Sequence, residues 1–150
     1  MMFNYGAFPQ TWEDPKHLAP ETNAIGDNDP LDCIEIGVRQ LQTGEIAAVK
    51  PLGIFALVDS DETDWKVLVL NVDDPMADML HDLDDIREHL PGMLEGIHHW
   101  LRMYKTPQGI LNRFGFDGEP RGREFAARVI EENHDFWKAL VTERGHAATV

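Results

Sequence analysis

The sequence predicts an α+β fold, mainly β, with helices packed on a small β-sheet or barrel. Three observations carry this. Two apolar, β-branched segments, 48–59 and 65–72, flank a short acidic turn, as in a hairpin. From about residue 76 the apolar spacing changes to threes and fours, the helical period. The order is loop, then strands, then helices, with no internal repeat and no low-complexity segment.

Residues 5–32 are rich in Pro, Gly, Asn and Asp and read as a long ordered loop with short extended pieces. Residues 33–38, CIEIGV, read as a short strand ended by Gly37, and Gly44 marks a turn. Pro51 in the 48–59 strand points to an edge or bulge. The acidic turn covers 59–64. Met76 to Leu90 reads as a short helix. Pro91 breaks it and can open the next one at its first turn. Leu94, Ile97, Leu101 and Tyr104 fix that second helix, and residues 106–121 are loop-like. Phe125, Val129, Ile130, Phe136, Trp137 and Leu140 give a last helix of about four turns, followed by a frayed tail, GHAATV.

A chain of 150 residues fits one domain, 1–150, with a real core. Its formal charge of −14 argues against nucleic-acid backbones and anionic lipid as partners. The single cysteine, Cys33, rules out an internal disulfide and any CxxC zinc site, and reads as a small buried apolar residue. It agrees with a reducing compartment, so cytoplasm is the expected location. No apolar run approaches the ~20 residues of a membrane span. The N-terminus lacks a signal-peptide pattern.

The chemistry concentrates in two acidic clusters. Residues 26–32, GDNDPLD, hold Asp27, Asp29 and Asp32, and like charges this close repel unless something neutralises them. The second cluster holds Asp59, Asp61, Glu62 and Asp64, followed by Lys66. Both lie at strand ends. Hard divalent cations take carboxylate oxygens, and Lys66 could hold a phosphate oxygen beside them. Solvated surface is the other reading of such clusters, and spacing leaves both open. An EF-hand is rejected: counting from Asp27, the sixth and twelfth residues are Asp32 and Val38, and from Asp59 they are Asp64 and Leu70. His98 and His99 are adjacent on a helix and point about 100° apart, a poor arrangement for one metal. Neither a GxSxG string nor a Gly-rich phosphate loop occurs. Trp12, Trp65, Trp100 and Trp137 read as core or interface residues.

The GDNDPLD string resembles the D-[SGDN]-D-P-[LIVM]-D signature of the soluble family I inorganic pyrophosphatases. Further strings resemble the animal and fungal branch, in order: NYGAFPQTWEDP (4–15), GDNDPLDCIEIG (26–37), VKPLGIFALVDSDETDWKV (49–67), NVDDP (71–75), LPGMLEGIHHWLRMYK (90–105) and FGFDGEPRGREFA (114–126). The likeness covers roughly residues 4–140. It implies a small, twisted, OB-like five-stranded β-barrel flanked by helices, and Mg2+-dependent hydrolysis of pyrophosphate to two phosphates. By position, it implies Asp27, Asp32 and Asp64 as ligands of the tightest ion, with Asp32 also touching a second ion. Asp59, with Asp64, would serve metals that arrive with the substrate. It implies Asp29 as the acceptor of the attacking water's proton, and Tyr5 as an active-site tyrosine near the leaving group. Lys66, Tyr104 and Lys105 would hold the phosphates.

The sequence also departs from the family. Members carry a substantial segment before NYGA that supplies the first barrel strands, a Lys, an Arg and a Glu of the active site, and a further Tyr. The chain is therefore expected to be N-terminally truncated, with an incomplete barrel and weakened activity. Two functional expectations follow: a Mg2+-dependent pyrophosphatase, or a catalytically impaired metal-binding remnant or partner of a full-length subunit. The branch is commonly homodimeric. The resemblance implies that assembly, and truncation leaves another state open.

Overall fold

The computed structural model describes residues 2–147. Its centre is the hairpin of β5 (Val49–Asp59) and β6 (Glu62–Asn71). Ser60 and Asp61 form its turn with φ of 51° and 65°. Positive φ at both central residues is the geometry that matches strand twist in a two-residue hairpin. The turn is thus shorter than the expected 59–64, and Asp64 lies on a strand, where its direction is fixed.

The other strands build outward from this hairpin. β4 (Asp32–Glu35) runs parallel to β6, with Asp32 opposite Lys66. β1 (Asn4–Ala7) pairs antiparallel with β4. On the other side β5 pairs with β7 (Arg113–Phe114) and β8 (Arg121–Gly122). The sheet order is β1-β4-β6-β5-β7, with β8 also on β5. This is an open sheet among the described residues, not a closed barrel. β2 (Leu18–Ala19) and β3 (Ala24–Ile25) form a small separate hairpin.

Both faces of the sheet are covered, which explains why β5 and β6 read as nearly continuous apolar runs. On one face Phe55, Leu57, Leu68 and Leu70 meet Leu83, Ile86, Leu94, Ile97 and Leu101 of α1 (Leu83–His89) and α2 (Met93–Met103). On the other, Ile54, Ala56, Trp65, Val67 and Val69 meet Ala126 and Val129 of α3 (Arg123–Ala147). Pro51 sits where the β5–β6 register shifts, the bulge expected for it.

Several expectations are corrected. Asn4–Ala7 is one of the short extended pieces expected in the N-terminal loop, and antiparallel pairing with β4 makes it a strand that begins one residue earlier, at Asn4. Residues 76–82 are turns. The Asp74 side chain accepts the Met76 N–H, and Asp82 caps α1 from outside, so the helix begins only at Leu83. Pro91 does not open α2. Gly92, at φ 84°, is its N-cap, and the helix starts at Met93. The 106–121 stretch carries β7, β8's first residue and two short 3-10 turns. α3 is 25 residues long, about seven turns and not four. Its extra turns are largely exposed and polar, so apolar spacing could not reveal them. The helix includes 145–147 of the expected frayed tail, and 148–150 lie outside the described residues.

Candidate metal centre

One end of the sheet gathers the acidic clusters. Side chains alternate along strands, so Asp64 and Lys66 share the face that carries Leu68 and Leu70. Parallel pairing with β4 sets Asp32 beside Lys66 on that face. Lys66 Nζ donates to Asp32 Oδ2 at 2.6 Å and also to Asp64 Oδ1. The Tyr5 hydroxyl donates to the same Asp32 oxygen at 2.6 Å. Lys66 is 2% exposed. Burial pulls its pKa down, but the negative charges of Asp64 and Asp32 outweigh this and hold it above the ordinary lysine value. It is a fixed cation. Burial likewise raises the Tyr5 hydroxyl, and its bond to Asp32 adds to the effect, so Tyr5 remains a donor.

A second group forms at the far end of β5. Asp59 accepts from the Tyr104 hydroxyl at 2.7 Å, from Ser60 Oγ at 2.9 Å and from Lys105 Nζ. Burial opposes ionisation of Asp59, but these three donors win and hold its carboxyl below the usual range. The Tyr104 ring stacks on Trp100, with centroids 4.9 Å apart. α2 thereby fixes where Tyr104 and the following Lys105 point.

The third element is the 26–32 loop. It lies against residues 13–14 through three backbone bonds: Gly26 N to Asp14 O at 3.2 Å, Asn28 N to Glu13 O at 3.0 Å and Glu13 N to Asp29 O at 2.9 Å. Only a glycine fits at 26, because a Cβ there would come within 2.5 Å of the Glu13 carbonyl. Asp27 Oδ1 accepts the Asp29 N–H at 2.9 Å, and Asn28 takes a left-handed φ of 72°. The loop carries Asp27 inward and leaves Asp29 exposed.

The result is a cluster that the sequence did not single out. Ligand oxygens of Glu13, Asp27 and Asp64 lie within 4.8 Å of one another. Glu13 is 2% exposed. One of its oxygens accepts the Trp65 N–H at 2.9 Å, while Oε2 is buried without a hydrogen-bond partner. Burial, and next the Asp27 charge, push the Glu13 pKa well up. Burial pushes Asp27 up to about 7, against the pull of the Asp29 N–H. Asp64 is raised chiefly by burial in spite of Lys66. Three carboxylates driven toward their neutral forms, with one orphaned oxygen, are a donor set that suits a hard divalent cation. Glu13 was missed because nothing local marks it. Its membership depends on bonds to Asn28 and Trp65 that only the fold makes. Its presence within the NYGAFPQTWEDP string was the one available signal.

Of the expected site residues, Tyr5, Asp32, Asp64 and Lys66 form one bonded group, and Asp59, Tyr104 and Lys105 another. Asp27 joins Asp64 through the Glu13 cluster, and Asp29 is exposed on the same loop. Among the described residues, no helix is long and apolar enough to cross a membrane.

The profile of the family described as inorganic pyrophosphatase matches residues 1–138. An inorganic pyrophosphatase of Eremothecium gossypii is 52% identical over 139 residues, 92% of this chain and 48% of the relative. Recombinant inorganic pyrophosphatase from Trypanosoma brucei brucei superposes with a TM-score of 0.93 at 43% identity, covering 96% of this chain and 42% of the other. An N-terminal-domain-truncated vacuolar soluble pyrophosphatase of Trypanosoma cruzi, in complex with PPi, gives 0.92 at 45% identity, covering 95% and 54%. This chain spans about half the length of the curated relatives it matches. With its acidic loops, buried lysine and open sheet, the chain belongs to the inorganic pyrophosphatase family.

Proposed function

We propose that this chain hydrolyses inorganic pyrophosphate to two phosphates with Mg2+ as cofactor, as a single domain over 1–150 in the cytoplasm. The observation that carries this reading is the buried Glu13–Asp27–Asp64 cluster with its orphaned oxygen, set beside a buried lysine. A relative of the same fold with PPi bound supports pyrophosphate as the ligand.

Phosphoryl transfer depends mainly on positioning and charge neutralisation. Asp27, Asp32, Asp59 and Asp64 would hold the ions, with Glu13 at the inner edge of the set. A divalent cation, when bound, supplies positive charge to phosphate oxygens and acidifies water. Lys66, a fixed cation, and Lys105 supply positive charge to the phosphates, and the Tyr104 hydroxyl adds a donor. Asp29, exposed on the hydrogen-bonded loop, takes the proton of the attacking water at a carboxylate oxygen. Tyr5 orients Asp32 and faces the leaving phosphate.

The test is phosphate release from pyrophosphate with Mg2+, comparing the purified chain with its Asp32→Ala variant. Release that vanishes in the variant supports the reading. A folded chain that binds Mg2+ without turnover would favour the second reading, a metal-binding partner of a longer pyrophosphatase chain. A homodimer is the assembly expected for the active form.

A further inference from the structure

A second basic site lies away from the acidic one. A cavity of about 230 Å³ is lined by Lys50 and Pro51 of β5, His81 of the turn before α1, and Arg123, Glu124 and Ala127 of α3. Along β5, Lys50 is five residues from Phe55 (opposite Lys66), seven from Leu57 (opposite Asp64) and nine from Asp59, so the two sites are roughly 17–30 Å apart at the rise of an extended chain.

The wall is cationic in a chain of net charge −14. No ion pair among the described residues joins Lys50 or Arg123 to a carboxylate. Lys50 Nζ donates to the Ala77 carbonyl and lies 3.5 Å from His81 Nδ1. His81 Nε2 donates to the Asp78 carbonyl at 2.9 Å, which holds the ring in place. Two acids border the wall: Asp85 accepts the His81 and Asp82 backbone N–H groups at 2.7 and 3.1 Å, and Asp82 accepts those of Leu83 and Arg123 at 2.7 and 3.3 Å, so both charges are engaged by helix-start N–H groups. Glu124 is the one carboxylate among the lining residues, beside Lys50 and Arg123. Lysine offers a point charge and arginine a planar fork, the pair commonly used for phosphate oxygens. Pro51 and Ala127 add no competing side-chain polar group.

We propose that this cavity binds a small phosphate-type oxyanion, as a site separate from the acidic cluster and independent of the reading given above for it. The shared ligand chemistry is a tetrahedral phosphate, either free or as a small monoester.

The experiment is an amide chemical-shift titration of the whole chain, in chelator and without divalent metal. One arm adds inorganic phosphate and the other glycerol phosphate. The expected result is saturable shifts centred on Lys50, His81, Arg123 and Glu124. In Lys50→Met and, separately, Arg123→Gln, the dissociation constant should rise at least about tenfold, with circular dichroism unchanged. A preference between the arms identifies the free ion or the ester as the better ligand, and either outcome supports the site. Shifts confined to Lys66 and Lys105, no saturable shift in either arm, or unchanged affinity in both folded variants would each overturn it. The wild-type shift map decides the matter even if a variant fails to fold.

Discussion

Gly26→Ala probes the joint that holds the acidic loop in place. The added Cβ would stand 2.5 Å from the carbonyl carbon and oxygen of Glu13 and 2.7 Å from the Asp14 oxygen. These are backbone atoms, so rotating a side chain cannot relieve the clash. The loop must retreat from residues 13–14. Overpacking of this kind costs about 1–3 kcal/mol. Loss of the three backbone bonds between the segments adds roughly 1 kcal/mol each. Reduced freedom of the unfolded chain returns about 0.4–1 kcal/mol. The net destabilisation is then about 3–6 kcal/mol, a large share of the ~5–15 kcal/mol typical of a folded domain. Urea unfolding followed by circular dichroism would read it as a lower midpoint with an unchanged slope. Mg2+ affinity should fall in the same variant, because Asp27 moves with the loop. A loss below about 0.5 kcal/mol with unchanged Mg2+ affinity would refute the argument that close backbone approach fixes this loop.

Other outcomes follow from the same geometry. Lys66→Met strands Asp32 and Asp64 around a buried apolar side chain and should cost about 3–5 kcal/mol, read by thermal or urea unfolding. Glu13→Gln keeps an acceptor for the Trp65 N–H but removes a charge from the cluster. Calorimetry should show cation affinity reduced by about 10- to 100-fold, the range for groups that support a metal site. Tyr104→Phe keeps the stack on Trp100 and removes one bond to the Asp59 carboxylate, so about 1.5–3 kcal/mol should be lost in unfolding. For pH, the Asp27 carboxyl is raised from 3.8 to about 7, so the folded metal-free chain keeps a proton that the unfolded chain releases. Its contribution is therefore present at low pH and is lost as pH rises from about 4 to about 7. Asp59 is depressed and acts oppositely, losing its contribution as pH falls through its folded value. Mg2+ competes with the proton on Asp27, so affinity should weaken as pH drops below about 7 in a calorimetric series.

Much of this site was legible because its residues cluster along the chain. Asp27, Asp29 and Asp32 lie within six residues, and Asp64 and Lys66 share one strand face, so the acidic clusters stand out, although their spacing alone also fits solvated surface and the individual roles came with the family resemblance. The central hairpin was legible for the same reason, with two apolar runs around an acidic turn. Glu13 was not legible, since its role depends on reaching Trp65, 52 positions away. β1 was only partly legible, as an extended piece in a loop, because its pairing with β4 is non-local. The start of α1 was misplaced because Asp74 and Asp82 act through side-chain bonds that compete with helix formation, an effect apolar periodicity does not register. α3 was shortened because its last turns bury little.

The most direct test of the central claim is a calorimetric titration of Mg2+ into the folded chain and into Asp27→Asn and Asp64→Asn variants. Saturable binding to the parent chain is expected, weakening at least about tenfold in each variant, with folding retained by circular dichroism. Equal affinity in all three folded proteins, or no saturable binding to the parent, would contradict the assignment of these carboxylates to a cation.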